Sequence, residues 1–346
     1  MRINFKHKWQ LAVSGMAALF MLAVPVMAAA SSVAVNFEGY TPGVINGQDG
    51  WTSTGAAGSG CAVYDHAVVT NSGAIYHYGS FGKKSLRISD AVTSGCFGDQ
   101  TFAKPLTDSV GETAATNGTF SAGTKQRHFT MQFDIASTTP KTQQVGLHVS
   151  VSPDRGDGSR MSYLRFEDGA NGLDVYFDDV TGTSSPVSFN ETQIATGLTR
   201  KKPHTIKLTL DTPDGPSNDV VKVWIDGNLA HQGTSWENYY LYDTEAMAEQ
   251  SPRIVKTVLF RSSGDANPAD QGKGYLFDNL SLTSGPIPVK PPNSKKDCRG
   301  DGWKQYNDPS YKSEKACENW VENHHDFHND DRQPCWTFHR RDWRNW

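Results

Sequence analysis

Hydrophobic and polar positions alternate along a series of short stretches, the pattern of β-strands that bury one face. The clearest are 128–137, 144–151, 161–168, 173–180, 204–212, 220–227, 256–263 and 274–282. Turn-forming residues separate these stretches, and no long segment with a helical period lies between them. The pattern therefore predicts an all-β fold over residues 31–285, a two-sheet antiparallel jelly-roll sandwich.

The first 30 residues have the organisation of a secretory signal peptide. Arg2, Lys6 and Lys8 precede an apolar run over 11–28, which ends in small residues that allow cleavage after Ala28 or Ala30. No second apolar run is long enough to span a bilayer. We therefore expect no membrane span after cleavage, and a location that is secreted, periplasmic or on the cell surface.

Two further segments follow the sandwich. Residues 286–296 contain four prolines and are predicted to form an extended linker. Residues 297–346 are predicted to form a small Cys/Trp/His-rich module. Its best helical pattern covers 313–323, where Ser313 is placed to cap the first turn.

The charge of the chain bears on its partners. The full chain has a net charge of −4, and the leader contributes three basic residues and no acids, which leaves −7 for the exported part. An acidic protein is a poor match for the nucleic-acid backbone, so no nucleic-acid partner is expected.

All five cysteines lie in the exported part, where an oxidising compartment favours disulfides. Their distribution predicts one bond between Cys61 and Cys96 and another between Cys298 and Cys317. Cys335 is left over, and it could stay free, exchange with a neighbour or join two chains.

Several blocks carry a resemblance to a known group of proteins. Residues 35–51, 214–240, 254–264 and 272–282 resemble exported bacterial proteins with a concanavalin A-like, laminin-G-type jelly roll. Residues 298–323 resemble a small C-terminal module of similar exported proteins. The resemblance implies the sandwich fold, but it implies no activity, because this fold carries lectins, hydrolases and lyases alike.

The chain lacks complete versions of the catalytic sequence patterns that enzymes with this fold carry. Glycosidases usually carry Glu-x-Asp-x-x-Glu on one strand, and this spacing does not occur in the chain. Alginate lyases carry an Arg-x-Glu strand, which Arg165-Phe166-Glu167 matches, and a Gln-x-His strand, which the stretch before His148 does not match. A non-catalytic module is therefore favoured over a carbohydrate-active hydrolase or lyase, and a structural envelope protein is a third alternative.

Alternation also predicts a polar face. If the strands over 128–180 share a sheet, its outer face carries planar polar groups and aromatic rings, the combination that sugar recognition needs. These residues are Gln132, Asp134, His148, Tyr163, Arg165, Glu167 and Tyr176. The predicted ligand is a polysaccharide or a cell-surface glycan, and the alternative is an ordinary solvated sheet face.

The stretch 218–240 combines a strand with an aromatic run. Val221, Val223 and Ile225 are predicted to face the core, while Trp224 faces outward. Asp226-Gly227 is typical of a tight turn. We interpret the block as a signature of the fold, with Trp224 and Trp236 as weaker ligand candidates.

The two ends of the sandwich suggest a structural calcium site. The first predicted strand carries Glu38 within 36–39 and the last carries Asp278 within 277–282, and in a jelly roll the two chain ends usually lie side by side. Many carbohydrate-binding jelly rolls with similar ends hold Ca²⁺ there through carboxylate and carbonyl oxygens. The alternative is that Glu38 and Asp278 face solvent or cap turns.

Overall fold

The structure is a computed structural model that describes residues 31–54, 65–71, 78–92, 100–115, 125–247, 253–263, 267–306 and 309–324. Its strands in chain order are β1 (Ser32–Val35), β2 (Gly43–Val44), β3 (Thr52–Ser53), β4 (His66–Thr70), β5 (Lys84–Ile88), β6 (Gln100–Phe102), β7 (Ser109–Gly111), β8 (Lys125–Gln126), β9 (His128–Ser137), β10 (His148–Asp154), β11 (Leu164–Gly169), β12 (Gly172–Thr181), β13 (Ser188–Leu198), β14 (His204–Asp211), β15 (Val220–Ile225), β16 (Asn228–Gly233), β17 (Ile254–Val255), β18 (Thr257–Ser263) and β19 (Tyr275–Gly285).

Four α-helices accompany these strands within the described residues: α1 (Glu237–Tyr242), α2 (Thr244–Met247), α3 (Lys295–Cys298) and α4 (Glu314–His324). Short 3₁₀ helices cover Pro268–Asp270 and Gly302–Gln305. None of the helices that the structure describes has the length and apolar character needed to cross a membrane.

The strands form two large antiparallel sheets. Sheet 1 has the order β16-β15-β14-β9-β19-β5-β4-β2, with β1 paired to β19, and sheet 2 has the order β13-β12-β11-β10-β18-β6-β3. A small third sheet joins β17, β7 and β8. The predicted all-β, two-sheet jelly-roll class is confirmed.

The core lies between the inner faces of the two sheets. Phe133 and Phe277 of sheet 1 meet Phe260 of sheet 2, and the ring centres of Phe260 and Phe277 are 5.1 Å apart. Val221 and Val223 are fully buried, as the alternation in β15 predicted. Edge-to-face contacts of this kind add to the free energy gained from burying the rings.

The turn after β15 has the predicted geometry. Asp226 and Gly227 connect β15 to β16 and have φ angles of 50° and 81°. Two consecutive residues in the left-handed region form the turn that matches the twist of a hairpin, and Asp-Gly tolerates it well.

Two features of the predicted sheet are wrong. The strand β9 lies in sheet 1, whereas β10, β11 and β12 lie in sheet 2, so Gln132 and Asp134 are on a different face from the other predicted ligand residues. Alternation over 144–151 predicts that Val145 faces the core with Leu147, Val149 and Val151, but Val145 is 70% exposed. The strand begins only at His148, because residues before it form a turn in which Gly146 has φ 89°.

The C-terminal helices form a small cluster around a disulfide. Cys298 of α3 is bonded to Cys317 of α4, as predicted, and both are fully buried beside Tyr306 and Val321. The helix predicted over 313–323 is present as α4, and the Ser313 hydroxyl accepts a hydrogen bond from the Ala316 amide at 3.1 Å. Cys61, Cys96 and Cys335 lie outside the described residues, so their pairing stays a prediction.

Candidate functional site

A row of polar side chains crosses the outer face of sheet 2. The strand registers place one residue from each of six neighbouring strands side by side, and alternation turns all of them away from the core. From β13 to β6 the row is Gln193, Tyr176, Arg165, Ser150, Arg261 and Gln100. The row is a continuous line of polar side chains across the sheet, in which Ser150 and Gln100 are buried.

Four of the predicted ligand residues lie together at one end of this row. Arg165 forms ion pairs with Glu167 and with Glu191, whose oxygen is 2.6 Å away, and its guanidinium lies 4.3 Å from the centre of the Tyr176 ring. His148 Nε2 is 3.5 Å from a Glu167 oxygen. Burial and the nearby Arg165 lower the pKa of His148, which favours a neutral imidazole.

An open groove lies at the other end of the row. Its volume is about 550 Å³, which is within the range of ligand sites in proteins. It is lined by Gln100, Arg155, Asp157, Gly158, Ser159, Arg160, Trp236, Tyr239, Tyr240, Glu245 and Arg261. We call this feature the sheet-2 groove.

One wall of the sheet-2 groove is the loop 155–160, which a buried carboxylate organises. Asp154 Oδ1 accepts hydrogen bonds from the amides of Gly156, at 2.5 Å, and of Asp157 and Gly158, both at 3.1 Å. Burial raises the pKa of Asp154 to about 6 despite these bonds. Arg155 is held in turn by an ion pair with Asp157 at 2.5 Å.

The opposite wall is aromatic and is formed by α1 and the residue before it. The Trp236 ring stacks on Tyr163, with ring centres 6.1 Å apart, and meets Tyr239 edge to face at 6.0 Å. The Trp236 amide donates to the Met161 carbonyl at 2.9 Å, and the Tyr240 hydroxyl donates to the Arg160 carbonyl at 2.9 Å. These bonds join the two walls.

Two residues that line the sheet-2 groove each carry a buried donor atom that finds no partner among the described residues. Arg160 is only 7% exposed, and its Nη2 atom is buried without a hydrogen bond. The indole N–H of Trp236 is buried without a partner as well. Buried donors are nearly always satisfied in folded proteins, so each of these two groups calls for an acceptor such as a buried water molecule.

Gln132 and Asp134 lie on the outer face of sheet 1 instead. Gln132 borders a smaller hollow of about 250 Å³ with Trp224 and Lys207, and the Lys207 ammonium is 5.1 Å from the centre of the Trp224 ring. Both carboxylate oxygens of Asp134 accept hydrogen bonds within the protein, one from the Thr205 hydroxyl at 2.6 Å and one from the Asn279 side-chain amide at 2.8 Å. The seven predicted residues therefore divide between two opposite surfaces.

The structure places the two predicted calcium ligands near each other. Strand β1 pairs with β19, and the charge of Glu38 helps to raise the pKa of the fully buried Asp278 to about 7, after the larger effect of burial. Glu38 Oε1 accepts hydrogen bonds from the amides of Lys83 at 2.5 Å and Lys84 at 3.1 Å. Calcium binding at Glu38 and Asp278 stays a prediction.

Sequence reasoning missed most of the residues that line the sheet-2 groove. The segment Arg155-Gly156-Asp157-Gly158-Ser159-Arg160 lies between the predicted strands over 144–151 and 161–168, and no ligand contact is predicted for it from the sequence. Two arginines in a glycine-rich connection between two strands were the available signal, because such connections lie at the surface and often carry ligand contacts.

Comparisons with known proteins give only remote likenesses. No protein-family model matches the chain, and no curated protein is similar to it in sequence. Among solved structures, an endo-β-1,4-glucuronan lyase from Trichoderma reesei is 13% identical and has a TM-score of 0.37, with 70% of this chain and 93% of that chain covered.

Two further solved structures are similar at the same level. An alginate lyase from Pseudomonas aeruginosa is 8% identical over 58% of this chain and 82% of its own, with a TM-score of 0.35. The carbohydrate recognition domain of Emp47p is 12% identical over 71% of this chain and 94% of its own, with a TM-score of 0.33. Likenesses at this level assign neither an activity nor a ligand to this chain.

Proposed function

We propose that this chain is an exported, non-catalytic glycan-binding module, and that a polysaccharide or cell-surface glycan binds in the sheet-2 groove. The observation that carries the proposal is the lining of this groove, which combines three arginine side chains with an aromatic wall that includes Trp236 and Tyr239. Sugars match both features, since their hydroxyl and ring oxygens accept hydrogen bonds and their C–H faces pack on rings.

The charge of the sheet-2 groove favours an acidic glycan. Its lining includes three arginines and two acids, which gives a net charge of +1 on a protein that is acidic as a whole. A guanidinium binds carboxylate oxygens in a planar, two-point geometry. We therefore expect uronate-containing polysaccharides to bind more tightly than neutral ones.

A second candidate function is the cleavage of such a polysaccharide by β-elimination. The observation that favours it is the group of His148, Arg165, Glu167 and Tyr176 on one face, in which a neutral imidazole could accept the proton next to a uronate carboxyl group. However, two carboxylates already engage Arg165, and the Tyr176 hydroxyl already accepts a hydrogen bond from Gln193 at 3.2 Å. Because Arg165 and Tyr176 are already engaged by other side chains of the protein, we favour binding over catalysis.

The exported chain can be tested against an array of neutral and acidic polysaccharides, with reducing ends and unsaturated uronate products measured in the same samples. We expect binding to acidic polysaccharides and no product. Product that disappears in the His148→Ala variant would instead establish the lyase. Absence of binding to every polysaccharide in the array would contradict the proposed function.

A further inference from the structure

Three buried carboxylates from distant parts of the chain meet behind the aromatic wall. Glu112 directly follows β7, Asp219 directly precedes β15, and Glu237 is the first residue of α1. Their exposures are 4%, 6% and 2%, and one oxygen from each lies within 4.8 Å of one oxygen from each of the others. We call this group the buried acidic triad.

Each member of the buried acidic triad uses one oxygen within the protein. Glu112 Oε2 accepts a hydrogen bond from the Arg253 guanidinium, and Asp219 Oδ2 accepts one from the Ser235 hydroxyl at 2.6 Å. Glu237 Oε2 accepts one from the backbone N–H of Asn218 at 3.2 Å. The second oxygen of each carboxylate, which is Glu112 Oε1, Asp219 Oδ1 or Glu237 Oε1, is buried and has no hydrogen-bond partner in the part of the chain that the structure describes. Three unpartnered acceptors in one place call for a cation or for protons.

The charges of the surrounding groups do not balance the triad. Arg253 is buried beside it, with Nη1 3.9 Å from Glu237 Oε1. With all three carboxylates ionised, the triad and Arg253 carry a net charge of −2 among the described residues. Lys125, the next cation, donates to the backbone carbonyls of Glu112 and Ala115 rather than to the carboxylates. Burial raises the pKa of Asp219 to about 8 and that of Glu237 to about 7.

There is room for a small ligand beside two of the three acids. A cavity of about 20 Å³ is lined by Val180, Ser217, Asp219, Thr234, Ser235, Glu237 and Asn238. A volume of roughly 10–15 Å³ is enough for one water molecule. The cavity therefore offers space for an ion or for a water ligand of that ion. The other polar groups that line it are the hydroxyls of Ser217, Thr234 and Ser235 and the side-chain amide of Asn238.

We propose that Glu112, Asp219 and Glu237 form a calcium site that anchors the aromatic wall. Ca²⁺ prefers oxygen ligands at about 2.3–2.6 Å, so two of its ligands can lie at most about 5 Å apart, a limit that the triad meets. Its charge of +2 offsets the −2 of the triad with Arg253. The ion stabilises the start of α1 against β7 and β15, and this role does not depend on what the sheet-2 groove binds.

The proposal is tested on the exported chain after chelation and dialysis, by calorimetric titration with Ca²⁺ and by thermal unfolding. In wild type, Ca²⁺ at about 100 times its Kd is expected to raise the Tm by about 5–10 °C. Asp219→Asn keeps the side-chain shape and removes one charge. This variant should melt higher than wild type in chelator and should lose most of the Tm rise with Ca²⁺.

Asp278→Asn is the matched control, because it tests the separate site predicted at Glu38 and Asp278. It should retain the Ca²⁺-dependent rise in Tm. If Asp278→Asn loses the rise and Asp219→Asn keeps it, the ion binds at the other site and the triad proposal is wrong. A wild-type Tm and titration that do not respond to Ca²⁺ would overturn it as well. Should Asp219→Asn fail to fold, Glu237→Gln replaces it in the same comparison.

Discussion

Replacing Trp236 with alanine is expected to weaken binding of the best polysaccharide from the array by about 30- to 1,000-fold, the loss typical of a central aromatic contact. The substitution removes the ring that walls the sheet-2 groove and an unpartnered indole N–H. It also removes the stacking partner of Tyr163. The Kd is measured by calorimetry, with unfolding curves recorded on the same samples.

Trp224→Ala is the matched control for this prediction. Trp224 lies on the outer face of sheet 1, beside Lys207 and away from the sheet-2 groove. We expect its Kd to stay within about twofold of wild type, since surface substitutions away from a ligand have little effect. A second variant, Trp236→Phe, keeps much of the ring packing and should fall between wild type and Trp236→Ala. Equal losses in Trp224→Ala and Trp236→Ala would exclude the sheet-2 groove as the binding site.

Val223→Asp is expected to lower the free energy of unfolding by more than about 4 kcal/mol and to leave little soluble protein. Val223 is fully buried in β15, opposite Leu208 of β14. A carboxylate there must either stay charged in an apolar core or take up a proton at a large cost. Urea unfolding with two probes measures the loss.

The neighbouring residue supplies the comparison. Trp224 faces outward from the same strand, so Trp224→Ala should cost about 1 kcal/mol, mostly through its contact with the Lys207 ammonium. A soluble Val223→Asp variant with an unchanged Tm would mean that the assigned faces of β15 are reversed.

Local patterns in the sequence predicted the parts of the fold that depend on neighbouring residues. Alternation identified the buried face of β15, and Asp226-Gly227 identified its turn, because both follow from backbone geometry within a few residues. The pairing of Cys298 with Cys317 followed from their being close along the chain in one segment. Alternation cannot reveal which sheet a strand joins, and β9 was misplaced for this reason.

One part of the candidate site follows from local patterns in the sequence, and the other part depends on tertiary contacts. His148, Arg165, Glu167 and Tyr176 come together because β10, β11 and β12 are consecutive strands that pair with each other. The sheet-2 groove forms only when the loop 155–160 meets α1 through tertiary contacts such as the Trp236 amide bond to Met161. An unpartnered buried donor likewise exists only in the folded chain, so no sequence pattern could identify it.

Hydrogen–deuterium exchange with and without the bound polysaccharide shows which outer face the ligand covers, because it reports on both faces at once. Binding in the sheet-2 groove should slow exchange over 155–160 and 236–245, its two walls, and leave exchange over 205–207 and 224–227 on sheet 1 unchanged. Slower exchange on sheet 1 alone, with no change in the two walls, would contradict it.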